Sequence, residues 1–406
     1  MVFGGGDFSI SLIDLMKSRV ILIFLLAHSF YGYGQNCFSG GLYRDTLFSD
    51  IEITELVYGS NVNFINQPDT LHATLYSPVD NVVTTRPLVF AVFGGSFVQG
   101  SREEYYIQQT CQNFARRGYL AVAIDYRIGM LSLSALDGFH AVFRGAQDCK
   151  AAVRFFRAHA DFLVFDPNEI YMIGYSAGGF NAVHTAFWQT DEVPVFAFPP
   201  GSGTFETGTS TPGVADTLSG LISVAGGIGD TLWMNGERTA VACIHNLTDP
   251  VVPYQAGSLF GTPVTFGSSL FITNRAASQG NFSRMKTLNV PNMHLPDLGS
   301  PWADTISRYI TTYMHEMLCR NRSDITATKP QPENQVQVGL RSDGLHISAT
   351  QGGHCKIFNG AGKMLGHYFF GAGASLHQLP VLQSGIYRAV AITEGIVQSS
   401  SFIYLQ

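Results

Sequence analysis

The chain has 406 residues, enough for two domains but cramped for a third. A formal charge of -6 with only 13% charged residues leaves no basic stripe to neutralise phosphates, which argues against nucleic acid as a partner. Abundant glycine and 12% aromatic residues suit a loop-rich, well-cored extracellular protein better than a disordered one.

At the start, Lys17 and Arg19 precede an apolar run from Val20 to Ala27, with small residues around Gly32 and Gly34, as in an export signal. The run is too short to span a membrane. Asp7 and Asp14 sit where such a signal needs positive charge, which points to Met16 as the true start and to a mature chain beginning near Gln35. Residues 1–34 therefore read as a signal peptide. No later segment is apolar for long enough to cross a bilayer, so no transmembrane anchor is expected in the mature chain.

From Thr70 onward strand-like and helix-like runs alternate, the pattern of a mostly parallel sheet covered on both faces. The expected strands are Leu71–Tyr76, Leu88–Phe93, Leu120–Ile124, Ile170–Gly174, Leu221–Ala225 and Val241–His245. Val142, Ala146, Cys149, Val153 and Phe156 recur at helical spacing, as do Trp302, Ile306, Tyr309, Tyr313 and Met317 in a final helix. Pro199–Gly213, rich in Gly, Ser, Thr and Pro, reads as a long loop inserted near the substrate entrance. Past Cys319 the pattern changes. Residues 321–334 are polar and contain Pro330 and Pro332, as linkers do, and helical periodicity then stops. Turn signals at Ser342-Asp343-Gly344, Asn359-Gly360 and Ser384-Gly385 divide the rest into about seven short strands, an all-β sandwich. The fold class is thus α/β over 35–320, with a small all-β domain over 335–406.

One motif carries chemistry. Gly174-Tyr175-Ser176-Ala177-Gly178-Gly179 follows the run Glu169–Ile173 and opens a helix-like segment near Phe180. A serine on such a strand-to-helix turn stands on a sharp elbow with its hydroxyl exposed above the sheet, and the helix N-terminus faces developing negative charge. With Phe93-Gly94-Gly95-Ser96-Phe97 and Ile124-Asp125-Tyr126-Arg127, this elbow resembles the esterase and lipase group of the α/β-hydrolase superfamily over roughly residues 50–320. The resemblance implies an oxyanion hole from the amides of Gly95, Ser96 and Ala177. Phe93 stands where that group has histidine, and Ser96 where it has a third glycine. Asp125 and Arg127 read as a structural hydrogen-bonding pair rather than proton-transfer groups.

A serine nucleophile needs a histidine, and the histidine a carboxylate, in the chain order Ser, acid, His. In Ile244-His245-Asn246-Leu247-Thr248-Asp249-Pro250-Val251-Val252-Pro253-Tyr254, Asp249 matches the acid of the superfamily, with Asp230 as competitor. His294, in a loop-like stretch before the Trp302 helix, matches the base, although Met293 replaces the more usual glycine. His245 ends a strand and reads as a hydrogen-bonded structural residue; His315 falls off the apolar stripe of its helix and reads as solvated. The implied activity is carboxylic ester hydrolysis through an acyl-enzyme. A serine peptidase of the prolyl oligopeptidase type and a non-catalytic adhesion protein remain as alternatives.

No His-Glu-x-x-His, paired Cys-x-x-Cys or Rossmann fingerprint occurs, so no metal or cofactor is assigned. Gly360-Ala361-Gly362-Lys363 reads as a hairpin turn. Six cysteines bound for an oxidising compartment permit disulfides, with Cys37–Cys319 the preferred pair and Cys243 a buried thiol. Sequons stand at Asn246, Asn281 and Asn321. The tail resembles the C-terminal sorting domain of the bacterial type IX secretion system in Lys356-Ile357-Phe358-Asn359-Gly360-Ala361-Gly362-Lys363 and Leu382-Gln383-Ser384-Gly385-Ile386-Tyr387, but lacks the lysine common near its end. A carbohydrate-binding module is the rival reading. The expected partners are a small ester or esterified polysaccharide and the secretion machinery, and the expected location is outside the cell or on its surface.

Overall fold

The structure is a computed structural model that describes residues 38–79, 85–207, 211–258, 261–262, 264–295, 301–323, 336–341, 344–349, 352–359, 364–377, 385–393 and 396–404. The signal peptide and the start of the mature chain lie outside the described residues.

Eight strands form the central sheet: β1 (Ile51–Val62), β2 (Pro68–Pro78), β3 (Arg86–Val92), β4 (Leu120–Ile124), β5 (Phe165–Tyr175), β6 (Gly220–Val224), β8 (Ala240–Asn246) and β11 (Ser283–Leu288). Their order is β1-β2-β4-β3-β5-β6-β8-β11, with β1 and β2 antiparallel at one edge and parallel pairing from β4 onward. The six expected strands are all present. β4 and β6 are buried along their whole length and β3 at all but its first residue, which is why they read as apolar runs. β1 and β11, at the edges and partly exposed, gave no such signal.

Helices cover both faces. α1 (Tyr105–Ala115) and α5 (Pro301–Ser323) lie side by side, joined by Asn113 Nδ2 donating to Ser307 Oγ at 3.3 Å. α2 (Ala135–Ala158) and α3 (Ala177–Phe187) pack together on the other face. Consecutive residues of β5 show the division: Gly174 meets α3 at Gly178, whereas the Tyr175 hydroxyl lies 2.7 Å from Thr110 on α1. α4 (Ser269–Ser278) covers β8 and β11, beside a small sheet of β7 (Gly227–Ile228), β9 (Ala256–Ser258) and β10 (Thr265–Ser268). This is the α/β-hydrolase architecture.

Several expectations are corrected. Asp125 and Arg127 do not pair: Asp125 takes Arg102 at 2.7 Å, while buried Arg127 takes Asp148 at 2.7 Å. His315 is buried, stacked edge-on against Phe38 at 6.1 Å, because the chain preceding β1 covers that side of α5. The expected linker begins as helix: Asn321 donates to the Tyr171 hydroxyl at 2.9 Å, and Arg322 binds Glu169 through Nε at 2.6 Å. The cysteines need no correction: Cys243 is a buried free thiol as expected, Cys111, Cys149 and Cys355 are also free, and Cys319 is disulfide-bonded; Cys37 lies outside the described residues.

The C-terminal part contains β12 (Val336–Arg341), β13 (Gly344–Ala349), β14 (Gly353–Asn359), β15 (Met364–Phe370), β16 (Gly373–His377), β17 (Gly385–Thr393) and β18 (Ile396–Tyr404). They form two antiparallel sheets, β12-β13-β16 and β15-β14-β17-β18, over a small core that includes Leu345, Ile347, Cys355 and Ile357. β14 and β15 are neighbours in a hairpin register; residues 360–363 between them lie outside the described residues.

Candidate active site

Ser176 sits between β5 and α3 with φ 52° and ψ -118°, a conformation that costs a non-glycine residue energy and survives only where its surroundings hold it. Three fixtures do so. The Ser176 amide donates to the Val224 carbonyl at 2.8 Å, and the Phe180 amide donates to the Ser176 carbonyl at 3.0 Å. Glycine makes the crossing possible: a Cβ on Gly174 would lie 1.9 Å from the Gly178 carbonyl oxygen. Ser176 is buried, with 6% of its surface exposed.

His294 lies between β11 and α5. Its Nε2 is 2.8 Å from Ser176 Oγ and its Nδ1 is 2.8 Å from Asp249 Oδ2. Asp249 stands in the turn after β8, where its Oδ1 accepts the amides of Val251 at 2.8 Å and Val252 at 2.9 Å. Burial alone would raise the Asp249 carboxyl, but the imidazoles of His245 and His294 and the Val252 amide outweigh it and hold the group well below the usual carboxylate range. Asp249 is therefore a carboxylate, and a carboxylate at Nδ1 fixes His294 as the Nδ1–H tautomer with Nε2 free to accept the serine proton. The competitor Asp230 is spent elsewhere, its Oδ1 accepting the Leu232 amide at 2.8 Å.

The loop carrying Gly95 and Ser96 follows β3 directly. Three successive residues, Gly95 (φ 121°), Ser96 (φ 55°) and Phe97 (φ 61°), have positive φ, which turns the backbone sharply. Its base is pinned by the Gly94 amide donating to the Tyr106 hydroxyl at 2.9 Å and by the Gly129 amide donating to the Phe97 carbonyl at 2.6 Å. Gly94 runs close under the elbow, where a Cβ would lie 3.1 Å from Ser176 Cβ. Among the described residues, the amides of Gly95, Ser96 and Ala177 have no acceptor. Phe93, at the position of the histidine of the resembled group, is buried and stacked on Tyr126 with ring centroids 4.3 Å apart.

Esterases are among the chain's relatives. The family described as BD-FAE matches residues 74–206, about a third of the chain. Gut esterase 1 of Caenorhabditis briggsae is 27% identical over 146 residues, which is 34% of this chain and 25% of that protein. Esterase-5B of Drosophila persimilis is 30% identical over 125 residues, 30% of this chain and 22% of that protein. Neuroligin-like protein glit-1 of Caenorhabditis elegans is 27% identical over 117 residues, 28% of this chain and 16% of that protein. The chain thus spans a quarter or less of the length of these curated relatives. Among solved structures, the propionate-bound esterase Est2 of the planctomycete Thermogutta terrifontis is 20% identical, with a TM-score of 0.45, covering 69% of this chain and 96% of that one.

Two neighbours support the triad, and the sequence did not show the role of Asn246. Buried Asn246, at the end of β8, donates to the carbonyls of Val290 at 2.8 Å and Met293 at 2.7 Å and accepts the Val290 amide at 2.9 Å, so it anchors the His294 loop. Its sequon is therefore occupied by structural bonds rather than facing solvent. His245 is hydrogen-bonded as expected, its Nδ1 2.7 Å from Ser269 Oγ and its Nε2 2.8 Å from the Val252 carbonyl, but it also reaches to 3.4 Å from Asp249 Oδ2.

An apolar cleft runs beside α3, lined by Phe180 and His184 of that helix, by Trp188 just after it, and by Phe139, Trp233 and Phe266. Ser176 and His294 are not in its lining. The loop around Pro199–Gly213 is stitched to α2, with Gln147 donating to the Ser202 carbonyl at 2.8 Å and Phe205 stacked on Phe143 at 4.7 Å. Among the described residues there is no group of three or more His, Cys, Asp or Glu that could hold a metal, and no helix long and apolar enough to cross a membrane.

Proposed function

We propose that the protein is a carboxylic ester hydrolase that works through Ser176, His294 and Asp249 and an acyl-enzyme intermediate. One observation carries this reading: the unbroken chain from Ser176 Oγ to His294 to Asp249, 2.8 Å at each link, built on a strained elbow beside three amides that have no acceptor among the described residues. His294 takes the proton as Ser176 Oγ attacks the ester carbonyl, and Asp249 stabilises the imidazolium that forms. The amides of Gly95, Ser96 and Ala177 receive the oxyanion, a role worth about 10²–10³ in rate per donor. His294 then protonates the leaving alcohol. Water, activated by the same imidazole, releases the acid.

The substrate we assign is a small ester or an esterified polysaccharide. Names of relatives that include esterases support the bond type, and the loop at Phe93–Phe97 supports it over an amide. Rates on p-nitrophenyl esters of increasing chain length, acetyl-xylan, methyl ferulate and a proline-containing peptide amide test this. Ester turnover well above amide turnover is expected, and preferential cleavage of the peptide amide would overturn it.

We also read residues 1–34 as an export signal and 335–406 as a type IX sorting domain. The tail motifs support this, as does a self-contained pair of antiparallel sheets with its own core, able to be recognised without touching the site. Truncation near Asn334 should leave turnover of a small soluble ester unchanged and abolish export in a host that has the system. A truncated protein still exported, yet no longer binding insoluble polysaccharide, would make the tail a carbohydrate-binding module.

A further inference from the structure

We propose that His245 is a positioning residue for the acid of the triad, its Nε2–H bracing the Asp249–Val252 turn from the inside and keeping Oδ2 turned toward His294. The inference rests on the triad reading above.

His245 is the last residue but one of β8, four residues before Asp249, and is 1% exposed. Its Nε2 faces two acceptors, the Val252 carbonyl at 2.8 Å and Asp249 Oδ2 at 3.4 Å. A carbonyl oxygen and a carboxylate oxygen offer no proton, so Nε2 carries the ring hydrogen and shares it, strongly with Val252 and more weakly with Asp249. Nδ1 then accepts from the Ser269 hydroxyl, 2.7 Å away at the first residue of α4. Tyr254 meets the ring edge-on at 5.8 Å. Both nitrogens and the ring are thus fixed by two parts of the chain, the turn at 249–254 and the start of α4.

The turn is held from both sides. Val252 donates its amide to Asp249 Oδ1 and gives its carbonyl to His245, while Val251 donates to the same Oδ1. With Oδ1 committed to two amides, Oδ2 is the oxygen left for histidine, and it is 2.8 Å from His294 Nδ1. Without His245 the Val252 carbonyl, on a residue 7% exposed, loses its partner, and the turn gains by opening toward water. Opening it swings the carboxylate away from His294. His245 touches no reacting atom. It acts through Asp249, in the way that outer groups aim the ligands of other sites.

The test compares His245→Leu, which fills space without a donor, with His245→Gln, which returns an N–H close to the place of Nε2. On p-nitrophenyl acetate, His245→Leu should lower kcat about 10- to 100-fold with KM within about two-fold, and His245→Gln should recover most of kcat. A role confined to packing would not separate the two variants. Wild-type kcat in His245→Leu, or an equal loss in His245→Gln, would overturn the proposal. Should His245→Leu fail to fold, His245→Met, which likewise has no donor, takes its place and should show the same loss of kcat; wild-type kcat in it would overturn the proposal as well. Ser176→Ala is measured alongside. Wild-type turnover that does not depend on Ser176 would overturn the triad reading itself, whereas turnover that depends on Ser176 but not on His245 would overturn this inference alone.

Discussion

Replacing Asn246 by Ala should damage both stability and turnover, although Asn246 touches neither serine nor substrate. Its side chain makes three good hydrogen bonds to the His294 loop, two to carbonyls and one from the Val290 amide. At about 1 kcal/mol each, their loss destabilises the fold by about 3 kcal/mol, since the loop groups are left short of partners. The catalytic cost comes from geometry. Met293, whose carbonyl Asn246 holds at 2.7 Å, immediately precedes His294, so a released loop lets the imidazole drift. A displacement of 1 Å is enough for about 10²-fold in rate. The assay pairs urea unfolding followed by fluorescence with kcat on p-nitrophenyl acetate, measured at a temperature where the variant is folded. A folded variant with wild-type kcat would refute the idea that this amide positions the base, even if it were less stable.

Asp249→Asn should lower kcat about 10⁴-fold, because an amide at Oδ2 no longer selects the productive tautomer of His294. Asp230→Asn, which alters only a cap on Leu232, should leave kcat near wild type, and a reversal of the two would reassign the acid. His184 supplies a pH test of stability. Burial pushes its imidazole down to about 4, below the unfolded value of about 6.5, so the folded state binds fewer protons. Its contribution is complete above about pH 6.5 and is lost as pH falls toward 4, at up to about 1.4 kcal/mol per pH unit. Urea melts at pH 7, 5.5 and 4.5 should show this slope in wild type and a flatter one in His184→Gln. Equal slopes would refute the assignment.

The buried middle of the sheet was legible because β3, β4 and β6 are apolar over almost their whole length, and no helix gives such short, bounded runs between turns. The elbow was legible because Gly-x-Ser-x-Gly means little alone but much between a strand and a helix. Edge strands β1 and β11 were silent: most of their residues are exposed or only partly buried, and alternation that weak cannot be told from loop. The misreadings share one cause. The surroundings of His315 were inferred from its helix alone, yet Phe38 from the far end of the chain covers it. Asp125 and Arg127 lie two apart and would seem natural partners, but each finds a better one, Arg102 and Asp148, brought in by the fold. His245 was read correctly as hydrogen-bonded, but its partner Val252, like the partners Val290 and Met293 of Asn246, could not be named, since only the folded chain brings them together.

The most direct test of the central claim is acyl transfer to Ser176. Wild-type protein is mixed briefly with p-nitrophenyl acetate at low pH and digested for mass analysis, and steady-state turnover is measured in parallel for wild type and Ser176→Ala. Acetyl should be trapped on the peptide containing Ser176, and Ser176→Ala should lose several orders of magnitude in kcat while keeping its fold. Acetyl found on another residue, or near-wild-type turnover in Ser176→Ala, would contradict the account.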